Sequence, residues 1–500
     1  MTEELEKLRD YLRTKKPALS RLEGVVNDII IKNRNDRELL VKLCIRTGIL
    51  QSFIKESSRD PIFLNSCKKK LIEEFFFGES AVEKAIAYCK FLTGEETETE
   101  LIPYRKSNKW GYCTSDKKIV IDCEFDMVFK FTEGFGRVRK NNLYGFIDMK
   151  GNFLTDIKYK VVSEFKEGFA GLTEDYDKYN FINKQGQIVF GLKGFEDIQN
   201  FHNGYAGVVK NDKLGFINLC GDLVIPPIYD QIWLGLPDRF YKEIYDGDGA
   251  FFYSNMSNFK EGCVRLEKNG KYGFTDTTGK IIAPFIFDEA DDFSEGLAEV
   301  GIITPTNGAD IRSGYIDKSG TYVIPLKYQY ENKKIWGYSR QSQFSEGKAL
   351  VTSMSKSGYG FGRKEFFINK NDESIIESDS YEFCSGFSEG LAVVGKKYFE
   401  YIDNFIKGSE TKFGYIDTNG NLAIEFRFDE ARSFSDGLAA VKLNGKYGFI
   451  DNLGEIIIDC IYSDDLRRSK FINGLLFVPT DPWKPGKGYI NKKGIEFWED

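Results

Sequence analysis

The stretch Phe434-Ser435-Asp436-Gly437-Leu438-Ala439-Ala440-Val441-Lys442-Leu443-Asn444-Gly445-Lys446-Tyr447-Gly448-Phe449-Ile450-Asp451-Asn452-Leu453-Gly454-Glu455-Ile456-Ile457-Ile458 decides the fold, because its words recur through four-fifths of the chain. Leu-Ala-Ala-Val-Lys-Leu alternates as a strand does. Asn444-Gly445, like Asn269-Gly270, is a two-residue hairpin turn whose central residues both need φ > 0. Tyr-Gly-Phe-Ile-Asp is the return strand, and its Gly leaves room for a neighbouring aromatic ring against the backbone. Asp-x-x-Gly is a type I turn with a left-handed Gly, leading into an Ile/Val-rich strand. One unit is thus about three short antiparallel strands.

Working outward, Phe-x-x-Gly begins at Phe131, Phe165, Phe201, Phe259, Phe293, Phe344, Phe387, Phe434 and Phe471. The aromatic-Gly-aromatic-Ile word returns at Tyr144-Gly145-Phe146-Ile147, Phe413-Gly414-Tyr415-Ile416 and Tyr447-Gly448-Phe449-Ile450, and in altered form elsewhere, ten times in all. The basic spacing is 34 to 36 residues, as in 131→165→201 and 259→293. A three-stranded sheet of this size cannot bury both faces alone, so neighbours must stack to supply the core.

Composition agrees. The chain holds 49 Gly but only 12 Pro in 500 residues, with 75 aromatics (43 Phe, 27 Tyr, 5 Trp), a mixture of positive-φ turns and aromatic-packed strands. It is not uniform. Residues 1–93 contain 3 Gly and 8 aromatics, against 46 and 67 in the rest. Leu5, Leu8, Tyr11 and Leu12 share one helical face, and Ser80-Ala81-Val82-Glu83 is a capping box, so the spacing predicts a small bundle of four to six helices over 1–93. Residues 94–103, opening Gly94-Glu95-Glu96-Thr97-Glu98-Thr99-Glu100, read as an acidic linker. Residues 104–500 read as a β-repeat domain of about ten units. Irregular spacing favours an open, solenoid-like array; the alternative is a closed β-propeller.

The recurring Trp/Tyr-Gly-Tyr/Phe-Ile-Asp-x-x-Gly, followed by an apolar strand and Phe-Ser-Glu-Gly-Leu-Ala, resembles the bacterial WG repeat family over residues 104–500. This chain departs at the name-giving residue: Trp110 stands there, but Tyr144, Tyr272, Phe413 and Tyr447 replace it. The resemblance implies a β-repeat architecture with a binding or scaffolding role, and brings no reaction and no catalytic residues. The helical region matches no family.

Several functions find no residues. No stretch reaches 18 consecutive apolar residues, which excludes a transmembrane helix. The acidic start, without an apolar run behind it, reads as lacking a secretory signal, and nine cysteines without a CxxC read as reduced thiols of a cytoplasmic protein. A net charge of −7 offers nothing in bulk to nucleic acid. With one His, a Cys/His metal site has almost no ligands, and no cofactor motif stands: Gly273–Ile281 has the wrong spacing for a phosphate loop, and Gly358-Tyr359-Gly360-Phe361-Gly362 is read as a flexible hairpin end rather than a dinucleotide loop. Asp246-Gly247-Asp248-Gly249 lacks the ligand spacing of a calcium loop. His202 is expected to be an exposed turn residue. Glu133, Glu167, Glu261, Glu295, Glu346, Glu389 and Asp436 recur once per unit, and are expected to belong to solvated turns rather than to a catalytic pair.

The departures from regular spacing are informative. The largest insertion lies near 233–257 and holds Trp233, Leu234, Phe240, Tyr241, Tyr245, Phe251, Phe252 and Tyr253; smaller ones lie near 301–312, 331–342, 353–365 and 395–411. Insertions in repeat arrays map to one side, and aromatic anchors act as interface hot spots. The expectation is a non-enzymatic cytoplasmic scaffold that binds a protein partner through the β surface and these rings, while the helical head docks or dimerises. A carbohydrate- or peptidoglycan-binding repeat protein is the alternative; an enzyme using carboxylates of several propeller blades is a third.

Overall fold

In this computed structural model the chain divides into two compact parts, residues 1–100 and 101–500. Of the first, the structure describes Leu8, Cys44, Ile49, Leu50, Cys67, Lys70, Leu71, Ala85, Ile86 and Cys89. All ten have helical backbone and all but Lys70 are buried. The expected helical bundle otherwise lies outside the described residues. The second part is described except for 176–177, 231–257, 305–310, 331–341, 358–359, 378–380, 382, 403–404, 464–465, 467–468, 479–486 and 500.

The second part is a β-repeat fold of antiparallel sheets. The unit at 430–462 shows how each is built. Its first strand, Ala439–Leu443, turns at Asn444 (φ 50°) and Gly445 (φ 77°) into the second, Lys446–Ile450, which turns at Asp451 into the third, Ile456–Tyr462. A fourth strand that the sequence reading missed, Glu430–Ala431, pairs with the first strand at Lys442 and Val441. At two residues it is too short to show any periodicity.

The units are here numbered 1 to 10: 101–125, 127–159, 161–193, 197–230, 258–287, 289–330, 342–377, 383–428, 430–462 and 466–499. The third strand begins after the Asx turn, or in unit 1 the equivalent turn at Thr114, with an exposed residue such as Ile119 or Leu422, and then bulges against the second strand. The bulge explains the Gly of the aromatic-Gly word. A Cβ on Gly314 or Gly414 would stand 2.5 Å from the carbonyl oxygen of Ile324 or Ile424, which no side chain tolerates. The expected aromatic ring lies there at Gly273, against Phe285. At Gly314 and Gly414 the neighbour is backbone.

The cores lie between units. Val393, Tyr415 and Phe428 of unit 8 form one cluster with Phe434, Val441 and Ile450 of unit 9, whose other face packs on unit 10 through Tyr447, Phe449 and Phe471. Each Phe-x-x-Gly Phe reaches the second-strand aromatic of the preceding unit. Ring centroids stand 5.0 Å apart for Phe165–Phe146, 4.9 Å for Phe201–Phe181, 5.1 Å for Phe434–Tyr415 and 4.9 Å for Phe471–Phe449. The two recurring words are thus the two halves of one inter-unit contact, worth about 1 kcal/mol beyond area burial.

The ends of the array meet, and this corrects the open solenoid. Ile102–Lys106 of unit 1 pairs in parallel with Trp498–Glu499 of unit 10. The Tyr104 hydroxyl donates to the Glu499 carboxylate at 2.5 Å, Arg105 Nε to the Lys487 carbonyl at 2.7 Å, and Lys106 Nζ stands 3.1 Å from Glu499. Leu101, Trp110 and Tyr112 share a core with Leu475, Tyr489 and Phe497. Lys130 of unit 2 also donates to the carbonyls of Ile472 and Leu475 of unit 10. Irregular spacing misled because the extra residues enter connections and leave the packing of unit on unit unchanged.

Candidate functional site

Each unit has two ends. The first-to-second hairpin and the exit of the third strand lie at one, the hairpin end. Phe-x-x-Gly and the Asx turn lie at the other, the turn end, because the residue after Phe-x-x-Gly pairs with the Asx residue, as Tyr205 does with Asn218.

The turn end is uniform and stapled. The acidic residue of Phe-x-x-Gly sits at positive φ, from 51° at Glu133 to 58° at Asp436, a conformation that Gly or Asn adopts at less cost. Its carboxylate explains the choice. Glu167 accepts from Gly204 N at 2.8 Å, Glu261 from Gly296 N at 2.9 Å, Glu346 from Gly390 N at 2.9 Å and Glu389 from Gly437 N at 2.9 Å, always in the next unit. Glu133, Glu295 and Asp436 do the same. The preceding Ser adds a bond to the next Phe carbonyl, at 2.7 Å from Ser294 to Phe344 and 2.8 Å from Ser388 to Phe434. A Lys of the next Asx turn completes some staples, as Lys184 does on Glu133 at 3.1 Å. These carboxylates were expected merely to belong to solvated turns. They are inter-unit fasteners, which their once-per-unit recurrence could have revealed.

Buried tyrosines add a second tie at three junctions. The hydroxyls of Tyr112, Tyr315 and Tyr415 donate to the carbonyls of Phe129, Ser342 and Arg432 of the next unit, at 2.7, 2.6 and 2.8 Å. Burial pushes these phenols well above their ordinary value, so they stay protonated donors.

The hairpin end is where units differ. Units 4, 5 and 9 close their hairpins with the two residues Asn211-Asp212, Asn269-Gly270 and Asn444-Gly445. The unit 6 hairpin runs on to Ile303↔Ile311, that of unit 7 to Ser357↔Gly360 and that of unit 8 to Ile402↔Phe405, while unit 10 spans Val478 to Gly488. The 231–257 and 331–341 segments leave after Asp230 and Tyr330, where third strands end at the same end of the array. All these insertions therefore depart from one end. In the unit 8 ribbon Tyr398 is 40% and Phe399 45% exposed, with Lys396 Nζ 5.8 Å from the Tyr398 ring and Lys397 Nζ 5.4 Å from the Phe399 ring.

Trp233, Phe240, Tyr241, Tyr245, Phe251, Phe252 and Tyr253, and the Asp246–Gly249 run, lie outside the described residues; what is described is that their segment is anchored at the hairpin end. Tyr398 and Phe399 were not singled out by name, though their insertion was. His202 is in the turn as read, but half-buried rather than exposed, its backbone bonded to Tyr205. Gly273–Ile281 is an ordinary Asx turn in which Thr278 N and Lys280 N donate to Asp276. Among the described residues no group of three or more His, Cys, Asp or Glu could hold a metal ion, no helix is long and apolar enough to cross a membrane, and the eight cysteines whose side chains are described form no disulfide.

A repeated β unit with an aromatic-Gly second strand is the mark of a repeat protein, and the family comparison agrees. The WG containing repeat model matches nine segments: 110–144, 144–179, 181–213, 215–234, 272–302, 314–330, 366–398, 413–447 and 447–478. The chain belongs to that family. No curated protein matches its sequence. Among solved structures it is similar to a eukaryotic initiation factor (10% identity, 80% of this chain and 95% of that one covered, TM-score 0.45). It is also similar to BamB from Moraxella catarrhalis (11%, 67% and 94%, TM-score 0.31) and to the WD40 beta propeller domain of Doa1 (8%, 55% and 87%, TM-score 0.21).

Proposed function

We propose that the protein is a non-enzymatic cytoplasmic scaffold whose β units form a closed, propeller-like ring, with a helical domain over 1–93, and that it binds a protein partner through the hairpin end. The observation that carries this reading is directional. Every lengthened connection, including the aromatic-rich 231–257, is rooted at the same end, while the other end keeps one turn pattern throughout. Insertions scattered by drift would enter both ends. Long loops on a rigid scaffold are where binding residues concentrate, and Tyr, Phe and Trp anchor interfaces.

The test is capture from the native cell lysate with three baits: the full chain, a variant lacking 231–257, and a variant with the unit 8 ribbon cut back by replacing 398–410 with Asn-Gly, which keeps the Lys397↔Thr411 pair. One protein lost from either variant and kept by a turn-end variant such as Lys150→Ser supports the reading. Equal recovery of all partners by all baits overturns it.

A further inference from the structure

The exposed apolar residues gather on the third strands, and the most regular set lies at the turn end. Ile188, Leu223, Ile281, Tyr322 and Ile456, with Ile119 and Leu422 named above, are each the first residue of a third strand, and Phe153 makes the corresponding bridge in unit 2; each pairs with the residue just before the Asx, or before Thr114 in unit 1. They occur in eight of the ten units and are all 39% to 60% exposed. All but Ile119 follow closely on a turn glycine that rests on the preceding unit, as Gly454 does on Ile424 and Gly420 on Ile376. They therefore form a rim around one end of the array. In units 1, 3, 5, 8 and 9 the third strand is an edge of its sheet, the position that soluble proteins usually guard with charge; in units 4 and 6 it is the middle of seven strands.

We infer that this rim is a self-association face, covered by the rim of a second copy of the chain. Two observations select that occupant. The rim offers on the order of 800 Å² of apolar surface, what a stable interface takes from each partner. It also repeats once per unit around an array whose ends meet, so only a surface with the same repeat can touch it throughout, and the chain itself carries one. The exposed turn residues beside it hold both signs, Lys150 and Lys493 against Asp222 and Glu455, as a self-complementary face requires. Joined in this way, two copies hold their turn ends together and leave both hairpin ends outward. The pairing stands whether or not the hairpin end binds a partner.

Sedimentation equilibrium of the full chain tests this. The expected mass is that of two chains, 2 × 57.2 = 114.4 kDa. The triple variant Ile188→Lys, Leu223→Lys, Ile281→Lys is expected to weaken the dimer at least a hundredfold, with circular dichroism and melting unchanged. Tyr398→Ser with Phe399→Ser should leave the dimer intact. A wild-type chain that stays monomeric at about 50 μM, where any micromolar dimer forms, overturns the inference. So does a folded triple variant that still pairs as tightly as the wild type, which would move the contact elsewhere. Should the triple variant fail to fold, Phe153→Ser and Ile188→Ser measured singly replace it: a weakened dimer supports the rim, an unchanged one overturns it.

Discussion

The turn end and the hairpin end of this array come from the same repeated words, yet they evolve under opposite physical constraints. At the turn end of seven of the ten units an acidic residue, a glycine and an Asx residue are bonded within the turn or to the next unit, so a residue added there displaces several partners. At the hairpin end a two-residue turn is capped by a single carboxylate, as Asn211 and Asp212 are by Glu196 and Gly445 by Asp429, and the two strands can pair on past it, as those of unit 8 do, so its length is freer to change. One end holds the units together, and the other is where residues can be added.

The sharpest way to break this comparison is to insert the same ten-residue Gly/Ser loop at each end of unit 9. Between Asn452 and Leu453 it removes the bonds from Leu453 N and Glu455 N to Asp451 Oδ1 and from Gly454 N to the Asp451 carbonyl. A loss of about 3 kcal/mol is expected, at about 1 kcal/mol per bond. Between Asn444 and Gly445 the same loop should cost about 2 kcal/mol, roughly half for the bond from Gly445 N to Asp429 and the rest for loop entropy, which grows slowly with length. Urea unfolding of both variants gives the two numbers, and equal losses would end the distinction.

Removing residues 498–500 probes the seam where the ends meet. It deletes two paired residues, the Trp498 contact on Gly488 and the bonds to Tyr104 and Lys106. A destabilisation of about 2 kcal/mol is expected, from burial and hydrogen bonds together. Limited proteolysis should then cut first within 101–125 or 475–497. Cleavage unchanged in rate and place would mean that the seam is held by its core alone.

The smallest effect is expected for a single staple. Glu346→Ala leaves Gly390 N without its acceptor and should cost about 1 kcal/mol, because the site is open to water. Combined with Glu133→Ala, several units away, the losses should add. Strong coupling between them in denaturant unfolding would show that the staples act as one ring rather than junction by junction.

Much of this fold was legible in the residues. The turn words, the 34-to-36-residue period and the need for stacked neighbours follow from local rules, because φ > 0 at Asn444-Gly445 and alternation in Leu438–Leu443 are settled by the chain's own geometry. The Gly of the aromatic-Gly word was assigned to the right strand but to the wrong neighbour at several units, since only three dimensions bring the Ile324 or Ile424 carbonyl over it. The repeated acidic residues were found and placed in their turns, but the bonds they make to the next unit were missed, because the N–H groups they hold are 34 to 52 residues away in the chain.

What the amino-acid order settles here is the unit: its turns, its strands and the apolar faces that force it to stack, all of which depend on contacts within about 30 residues. Which way the insertions face, and that unit 1 closes on unit 10, required the folded molecule. Both depend on the direction in which strands run and on the small rotation between neighbours, and that rotation adds up over the whole array without leaving a mark in any single repeat.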